Sequence, residues 1–283
     1  MIQRKLTGEP SSFPKIPKLT DCQNHIYVPG FPRVAPGPDV PQGCPDVQDY
    51  LTMASWLGIE RTVVTVGNAH QTDNRCLLEV LKELTIPAVG VAAFHPSIDL
   101  SELKALRDSG VVGARIMDLP GGAVSFEALD AIDRLAYQMN MMVAVQFDGN
   151  TLADKFEPLK QMRSNYVIDH HGKFFKAIRP DGDEVSMLKA LIDQGNCWFK
   201  FAGCYESSNA GAPEYEDVAE IAKVIAAYAP ERIVWGTNWP HNGCTTTESY
   251  PNDAALLDLA LSWVSPEHHE RLLVKNAEEL YDF

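Results

Sequence analysis

The sequence predicts a single (β/α)8 barrel. Short apolar runs alternate with stretches of helical spacing about eight times along the 283 residues, a length that suits eight strand–helix units. No GxGxxG segment follows the first run, which disfavours the competing doubly wound sheet. We assign residues 18–283 to the barrel. Residues 1–17 are rich in Pro, Ser and Lys and lack periodicity, and we expect them to form a flexible N-terminal arm.

Eight short runs are the predicted strands, and most are continuously apolar, as expected of strands buried on both faces. In chain order they cover 19–25, 61–66, 88–94, 111–117, 141–147, 166–170, 197–202 and 232–237. The last run ends in Gly-Thr-Asn before a Trp-Pro-His turn. It therefore brings one polar side chain, Asn238, to the C-terminal end of a buried strand.

The stretches between these runs carry apolar residues three or four apart, the spacing of amphipathic helices. The predicted helices cover 45–57, 74–84, 100–109, 125–138, 183–194, 215–228, 253–264 and 267–280. Gly58 and Gly195 follow two of them, as glycines commonly do at helix ends. Ser125, with Glu127 and Asp130 close behind it, is a predicted N-cap. No helix is predicted between the fifth and sixth strands.

The charge of the chain limits its partners. Lys and Arg total 24 against 38 Asp and Glu, a formal charge of −14. Such a field disfavours nucleic acid and anionic membrane surfaces. A small anionic ligand is compatible with it if a local cluster of Arg, Lys and His binds the ligand. No stretch approaches the roughly 18 apolar residues of a membrane span, and no signal core follows the N-terminal charges.

The six cysteines are scattered and show no CxxC spacing. This distribution is typical of free thiols in a reducing compartment, so we expect a cytoplasmic protein without a disulfide frame or a zinc knuckle. Cys22 and Cys204 lie near strand ends, but no base flanks either in the sequence, which disfavours a cysteine nucleophile.

Polar residues at strand C-termini mark the reaction site of a barrel. The first predicted strand ends in Asp21-Cys22-Gln23-Asn24-His25, where a period of two places Asp21, Gln23 and His25 on one face. A second polar group, Asp-His-His-Gly, follows the sixth strand at 169–172. The third is the Gly-Thr-Asn-Trp-Pro-His segment at 236–241.

These three segments resemble, in order and spacing, motifs of the amidohydrolase superfamily, and the similarity spans residues 18–280. The family's first strand usually carries Asp-x-His-x-His, with both His bound to a divalent metal, and its eighth usually carries Asp. The segments 113–124, 145–150 and 169–176 resemble the branch of sugar-lactone and pyrone-dicarboxylate lactonases, which often work without metal. The resemblance implies a (β/α)8 barrel that acts on a lactone.

Two amides stand where the resemblance implies metal ligands. Gln23 replaces the first metal-binding His and Asn238 replaces the metal-bridging Asp. Neutral amides are poor ligands for zinc, which prefers thiolate, imidazole or carboxylate. We therefore expect no metal and no cofactor.

The amide at position 238 also bears on the type of reaction. Hydrolysis of a lactone needs a base that accepts a proton from water, which Asn238 cannot be. A substrate hydroxyl that attacks its own lactone carbonyl avoids the capture of water, and effective molarities of about 10^5 M or more let proximity replace a strong base. Together with the resemblance, which implies a sugar-acid lactone as the substrate, this predicts metal-independent isomerisation of an aldarolactone by intramolecular transesterification, in sugar acid catabolism.

We predict three catalytic residues and a set of polar residues for a small anionic sugar-acid lactone. His170 is the first candidate to polarise the lactone carbonyl or to carry the proton, with His25 beside it and Asn238 orienting a hydroxyl. Arg115 is suited to bind a carboxylate as a bidentate fork. The predicted substrate-binding residues are Gln23, Asn68, His70, Arg115, Gln146, Lys173, Lys200, Tyr205 and His241.

Structural roles are the alternatives for these side chains. His25 could be a hydrogen-bonded core residue, and His171 rather than His170 could face the barrel interior. Arg115 could pair with Asp118. Lysines that follow strands are often solvated, and His241 could cap the final loop.

Other functions also fit the pattern. A lactonase in which Asp148 or a His activates water is the nearest alternative. A decarboxylase of the superfamily is a third candidate, although those members resemble metal enzymes. A barrel without catalytic activity that serves as a binding module would also explain two missing ligands, but it need not keep two His, an Arg and several amides on different strands.

Overall fold

The computed structural model describes residues 2–283, and it contains the eight strands that the apolar runs predict. They are β1 (Thr20–Asn24), β2 (Arg61–Thr65), β3 (Ala88–Ala92), β4 (Val111–Asp118), β5 (Met142–Phe147), β6 (Tyr166–Ile168), β7 (Cys197–Phe201) and β8 (Ile233–Trp235). Each pairs in parallel with the next along the chain, in the order β1 to β8. The predicted (β/α)8 barrel is confirmed.

Nine helices lie in the described part of the chain. They are α1 (Val47–Leu57), α2 (Arg75–Glu83), α3 (Leu100–Asp108), α4 (Leu129–Gln138), α5 (Leu152–Lys160), α6 (Asp183–Ile192), α7 (Glu216–Tyr228), α8 (Asp253–Ser262) and α9 (Asn276–Tyr281). A π-helical turn, Arg271–Lys275, leads into α9. None of the helices within residues 2–283 combines the length and apolar character that crossing a bilayer needs.

Helix α5 is absent from the sequence-based prediction, which is wrong at this position. Only Leu152 and Leu159 are buried in it, so its apolar spacing is weak. Pro158 also lies inside the helix and would ordinarily argue against one. The helix is held by its place between β5 and β6 rather than by its own periodicity.

The predicted helix ends are partly confirmed. Gly58 caps α1 in the left-handed conformation, with φ 78°, as its position predicts. Ser125 does not cap α4. It precedes a 3-10 turn, Phe126–Ala128, its side chain makes no capping hydrogen bond, and α4 begins only at Leu129.

The barrel interior is filled by side chains from every strand. Residues such as Cys22 of β1, Trp198 of β7 and Val234 of β8 form one apolar cluster with Leu280 and Tyr281 of α9. Helix α9 therefore closes the N-terminal end of the barrel. The polar side chains lie at the opposite, C-terminal end.

The barrel closes between β8 and β1 through a seam that one buried side chain and two backbone hydrogen bonds join, His25 N–H to the Trp239 carbonyl at 2.8 Å and Asn238 N–H to the Gln23 carbonyl at 2.7 Å. Asp21 accepts hydrogen bonds from the backbone N–H of Thr237 at 2.9 Å and from its hydroxyl at 2.8 Å. Just above, an isolated bridge joins Asn24 to Trp239. Burial raises the pKa of Asp21 to about 6, against the lowering effect of the Thr237 bonds.

Residues 2–17 contain no helix or strand and lie across the barrel surface. The indole N–H of Trp56 in α1 donates to the Glu9 carbonyl at 2.9 Å, and the backbone N–H of Ser12 donates to Asp258 of α8 at 2.9 Å. Met1, the first residue of the predicted arm, lies outside the described residues.

Candidate active site

The polar residues singled out in the sequence collect at the C-terminal end of the barrel. Ten of the twelve are buried, and Asn68 and Tyr205 are half-buried. Three groups of contacts join eleven of them: one around His25, one around Asn238 and one around Arg115. His70 stands apart, with Nδ1 3.3 Å from the Pro32 carbonyl oxygen and its ring packed on Tyr27.

The predicted alternation along β1 is wrong in one respect. The pairing of β1 with β2 shifts register between Asp21 and Asn24, so a bulge interrupts the period of two. Asn24 Nδ2 donates to Asp21 Oδ2 at 3.0 Å, and the two side chains share this network with Tyr50 of α1. Asp21 is therefore part of the scaffold, while Gln23 and His25 keep contact with each other, Nε2 to Nε2, at 3.4 Å.

His25 has a defined tautomer. Its Nδ1 lies 2.9 Å from the carbonyl oxygen of Thr65. Because a carbonyl only accepts, Nδ1 carries the proton and Nε2 keeps its lone pair. Burial, and next the positive charge of Arg115, lower the pKa of His25 to about 3, so the ring is neutral at pH 7. His25 thus presents a proton acceptor.

His170 has the opposite tautomer, which Asn238 imposes. The amide nitrogen of Asn238 donates to Glu206 at 2.8 Å and to the Tyr205 hydroxyl at 2.9 Å. Its Oδ1 therefore faces His170 Nε2 at 3.1 Å, so that Nε2 carries the proton. Burial lowers the pKa of His170 to about 4. At pH 7 this histidine is a neutral donor.

Local backbone geometry brings these groups together. His170 and Asn238 have positive φ angles of 53° and 61°, which turn each side chain off the end of its strand. Gly203, with φ 57°, passes so close that a Cβ there would lie 2.7 Å from the Asn238 amide nitrogen. His171 points away and stacks on Phe201 at 4.9 Å, so His170 is the one that faces the site, as predicted.

Two of the predicted lysines are paired with acids. Lys173 donates to Glu206. Lys200, fully buried, lies 2.6 Å from Asp169 Oδ1 and donates to Gln23 Oε1 at 2.9 Å. Lys200 therefore holds Gln23 and Asp169 in place below the mouth of the barrel.

Glu206 stays ionised. Burial alone would raise its pKa, but His170 and Lys173 beside it and the hydrogen bonds from Lys173 and Asn238 lower that pKa to about 2. Burial likewise disfavours the ionised form of Asp169, but the charge of Lys200 outweighs this effect, and the pKa of Asp169 is lowered. Each buried lysine thus keeps a compensating carboxylate at neutral pH.

Arg115 has no such partner. Its guanidinium donates to Asn68 Oδ1 at 2.7 Å, to the Val66 carbonyl at 3.0 Å and to Gln146 Oε1 at 3.2 Å. Asp118, the structural alternative, pairs instead with Lys155 at 2.8 Å. Burial lowers the pKa of Arg115 from its usual value, yet it remains a cation, held by neutral acceptors alone.

Tyr205 and His241 continue the network away from the barrel axis. His241 Nε2 lies 3.0 Å from Asp253 Oδ1, so Nε2 donates to the carboxylate. Its Nδ1 then accepts from the Tyr205 hydroxyl at 2.6 Å. The chain Asp253–His241–Tyr205 fixes the phenol as an acceptor for the Asn238 amide.

Three acids of this site, Asp169, Glu206 and Asp253, were not singled out in the sequence. A lone lysine in an apolar strand, Lys200, does signal that a buried acid must accompany it. Asp169 and Glu206 are also chain neighbours of His170 and Tyr205. Asp253 carries no local signal, because its contact with His241 depends on how the last loop folds.

The residues present do not fit a divalent cation. Within residues 2–283 no three His, Cys, Asp or Glu side chains are grouped to hold one. The Gln23 oxygen, at a position where the family resemblance implies a ligand, is engaged by the Lys200 ammonium, which already supplies a positive charge there. A metal would have to displace that ammonium.

Three further residues that the sequence analysis considered are engaged elsewhere or inactive. Asp148, considered as a base for water, accepts from the Asn150 backbone N–H in a turn at 3.0 Å. Burial raises the pKa of the Cys204 thiol to about 12 and that of Cys22 further, so neither is a thiolate near pH 7.

Comparison with known proteins shows the family of the chain. The amidohydrolase family model matches residues 20–283. The D-galactarolactone isomerase of Agrobacterium fabrum is 50% identical over 283 residues, which cover 99% of this chain and 96% of that protein. A 4-sulfomuconolactone hydrolase of Hydrogenophaga intermedia is 27% identical, covering 96% and 91%. A ligand-free crystal structure from Agrobacterium tumefaciens superposes with a TM-score of 0.97 at 48% identity, covering 99% of both chains.

Proposed function

The chain belongs to the amidohydrolase family, and on this basis we propose that it converts D-galactaro-1,5-lactone into D-galactaro-1,4-lactone, a step in sugar acid catabolism. Its 50% identity to a D-galactarolactone isomerase supports the reaction. The observation that carries the proposal is the buried Arg115 guanidinium. It has no carboxylate partner in the part of the chain that the structure describes, and it can therefore bind the one free carboxylate of such a lactone.

The reaction exchanges one ester bond for another. The 4-hydroxyl oxygen attacks the C1 carbonyl, the bond from C1 to the ring oxygen O5 breaks, and the proton of the 4-hydroxyl ends on O5. No water is consumed. Fixing the substrate so that the hydroxyl meets its own carbonyl is the main contribution the protein has to make.

The two histidines suit opposite halves of this exchange. His25 Nε2 is unprotonated and its lone pair faces only the Gln23 amide nitrogen at 3.4 Å, so it takes the proton of the attacking hydroxyl. It then returns the proton to O5. His170 Nε2–H, which Asn238 Oδ1 accepts at 3.1 Å, can share its proton with the lactone oxygen where negative charge develops, a contribution of up to about 3–4 kcal/mol for one donor. Asn238 holds that proton on Nε2, and it cannot act as a base for water.

Binding of the substrate carboxylate to Arg115 also raises the basicity of His25. Arg115 and His25 are bonded to consecutive carbonyls at the end of β2, those of Val66 and Thr65. The charge of Arg115 is one cause of the low pKa of His25. A carboxylate on Arg115 neutralises this charge, so substrate binding raises the basicity of His25.

Hydrolysis of the lactone is the second candidate function. Glu206 is the observation that favours it, because a carboxylate lies 2.8 Å from the Asn238 amide nitrogen. Its low pKa makes it a weak base, and both of its oxygens are already engaged. We therefore rank isomerisation first. We also place the enzyme in the reducing cytoplasm, which its six free cysteines support.

Proton NMR of the reaction decides between the two functions. EDTA-treated enzyme mixed with D-galactaro-1,5-lactone should convert it to the 1,4-lactone, with diacid appearing no faster than without enzyme. Added zinc should not accelerate the conversion. Diacid as the main product would establish a hydrolase instead, and unchanged lifetime of the 1,5-lactone would refute the substrate. The Arg115→Met variant is the control for catalysis by contaminants.

A further inference from the structure

The buried cations of the molecule differ in how they are compensated. Within residues 2–283 four Lys or Arg side chains are buried: Arg61, Arg115, Lys173 and Lys200. Arg61 pairs with Glu278 at 2.8 Å, far from the site, Lys200 pairs with Asp169, and Lys173 pairs with Glu206. Arg115 alone has no carboxylate oxygen within 4.0 Å among the described residues.

The Lys173–Glu206 pair belongs to the site rather than to the scaffold. Glu206 contacts Asn238, and Lys173 lies close enough to His170 to influence the pKa of that histidine. The Glu206 side chain is 22% exposed and that of Lys173 is 8% exposed, so the acid lies on the more accessible side of the pair. A ligand near this pair meets a carboxylate rather than a free ammonium.

The substrate class follows from this charge arrangement. A lactone of an aldaric acid has one free carboxylate, because the ring ester uses the other. A lactone such as 2-pyrone-4,6-dicarboxylate has two. One uncompensated cation, Arg115, matches the first class, whereas a second carboxylate would have to lie beside Glu206.

We propose that Glu206 determines specificity: by neutralising Lys173, it restricts the site to lactones that carry a single carboxylate. This inference rests on the proposed function, which places the substrate carboxylate at Arg115. It assigns Glu206 a role that is separate from the chemistry of the ester exchange.

Binding of two ring-matched ligands tests the proposal without turnover. Isothermal titration calorimetry with 2-pyrone-5-carboxylate and with 2-pyrone-4,6-dicarboxylate gives a ratio of affinities for each protein. The wild type should prefer the monocarboxylate. Glu206→Gln keeps an acceptor for Asn238 but frees the Lys173 charge, and it should shift the ratio about tenfold toward the dicarboxylate, as expected for one unit charge at about 6 Å in a partly screened environment.

Lys173→Gln provides a change of opposite sign. It leaves the Glu206 charge uncompensated and should move the ratio further toward the monocarboxylate. Asp181→Asn is the matched control, because Asp181 pairs with Arg179 at 2.7 Å in an exposed ion pair and its loss changes the net charge by the same amount. This control should leave the ratio unchanged.

Each outcome decides the question. A ratio that stays constant in both site variants overturns the proposal, as does a wild type that prefers the dicarboxylate or an Asp181→Asn shift of the same size. If Glu206→Gln does not fold by circular dichroism, the Lys173→Gln ratio decides alone. If the variants show these shifts but the wild type does not isomerise the lactone, the proposed function is refuted and the charge selection still holds.

Discussion

Replacing Asn238 by Asp tests the role of the neutral amide directly. The amide nitrogen donates to Glu206 at 2.8 Å and to the Tyr205 hydroxyl at 2.9 Å. In Asn238→Asp an oxygen takes the place of this nitrogen, so two carboxyl groups face each other in a buried site. Like charges at this distance repel, so the pair shares one proton until the pH exceeds a raised upper pKa.

The loss of folding stability in Asn238→Asp follows from the raised pKa of this carboxyl pair. If Lys173 leaves the upper pKa of the pair about two units above that of a free carboxyl, the folded state loses about 3 kcal/mol at pH 7, at about 1.4 kcal/mol per unit. Between about pH 4 and this raised pKa the folded protein binds more protons than the unfolded chain. The free energy of unfolding therefore falls as pH rises through that window.

Two assays follow these effects in Asn238→Asp. Urea unfolding at pH 5 and pH 7.5 should show the larger loss at the higher pH. Proton NMR of the products should show diacid beside the 1,4-lactone, increasing with pH as the introduced carboxyl ionises and becomes a base for water.

A matched variant separates stability from chemistry. Asn24 donates to Asp21 at 3.0 Å in the seam, so Asn24→Asp creates a similar buried pair outside the mouth. It should lose stability and form no diacid. The double variant Asn238→Asp with Glu206→Gln should regain stability and still hydrolyse. If Asn238→Asp yields pure lactone at pH 8, the amide is not what excludes water.

Three further results are expected. Arg115→Met should weaken lactone binding by about 2–3 kcal/mol, seen as a rise in KM of roughly 100-fold, because it removes a charge-assisted contact; an unchanged KM would remove Arg115 from the site. His25→Asn should lower kcat by about 10²- to 10⁴-fold with a smaller effect on KM, the usual range for loss of a general base, and a kcat within a factor of three would assign the proton to another group. His171, stacked on Phe201 and buried, has its pKa lowered to about 3, so the folded state binds fewer protons than the unfolded chain below about pH 6.5 and stability falls on acidification. His171→Phe should therefore remove about 2 kcal/mol of the stability lost between pH 7 and pH 5 in urea unfolding, whereas an unaltered pH dependence would show that His171 takes up its proton without unfolding.

The barrel was predictable because its strands are buried on both faces. Such strands are apolar runs, and they can be recognised from the local sequence alone. The ends of β6 and β8 were placed too late, because His170 and Asn238 already have left-handed backbone conformations that end the strands sooner. Helix α5 was missed since its burial depends on its neighbours more than on its own pattern.

Which polar residues collect at the C-terminal end of the barrel was predictable, but several of their contacts were not. The rule that polar strand ends meet at one face located His25, His170 and Asn238. The bulge that separates Asp21 from Gln23 has no signature in five residues of sequence. Glu206 comes from a turn after β7, and its contacts with Lys173 and Asn238 join positions more than 30 residues apart in the chain.

The seam between β8 and β1 affects how the protein folds during its synthesis on the ribosome. β1 is the first of the eight strands to be made, and its partner across the seam, through Thr237 and Trp239, is made only after the other strands. Until then the nascent chain has two open strand edges, the kind of surface on which chains associate. Helix α9, which fills the base of the barrel, is made later still. A chain terminated before β8 keeps His25, His170 and Arg115, but it has neither a closed barrel nor the Asn238 amide that sets the tautomer of His170.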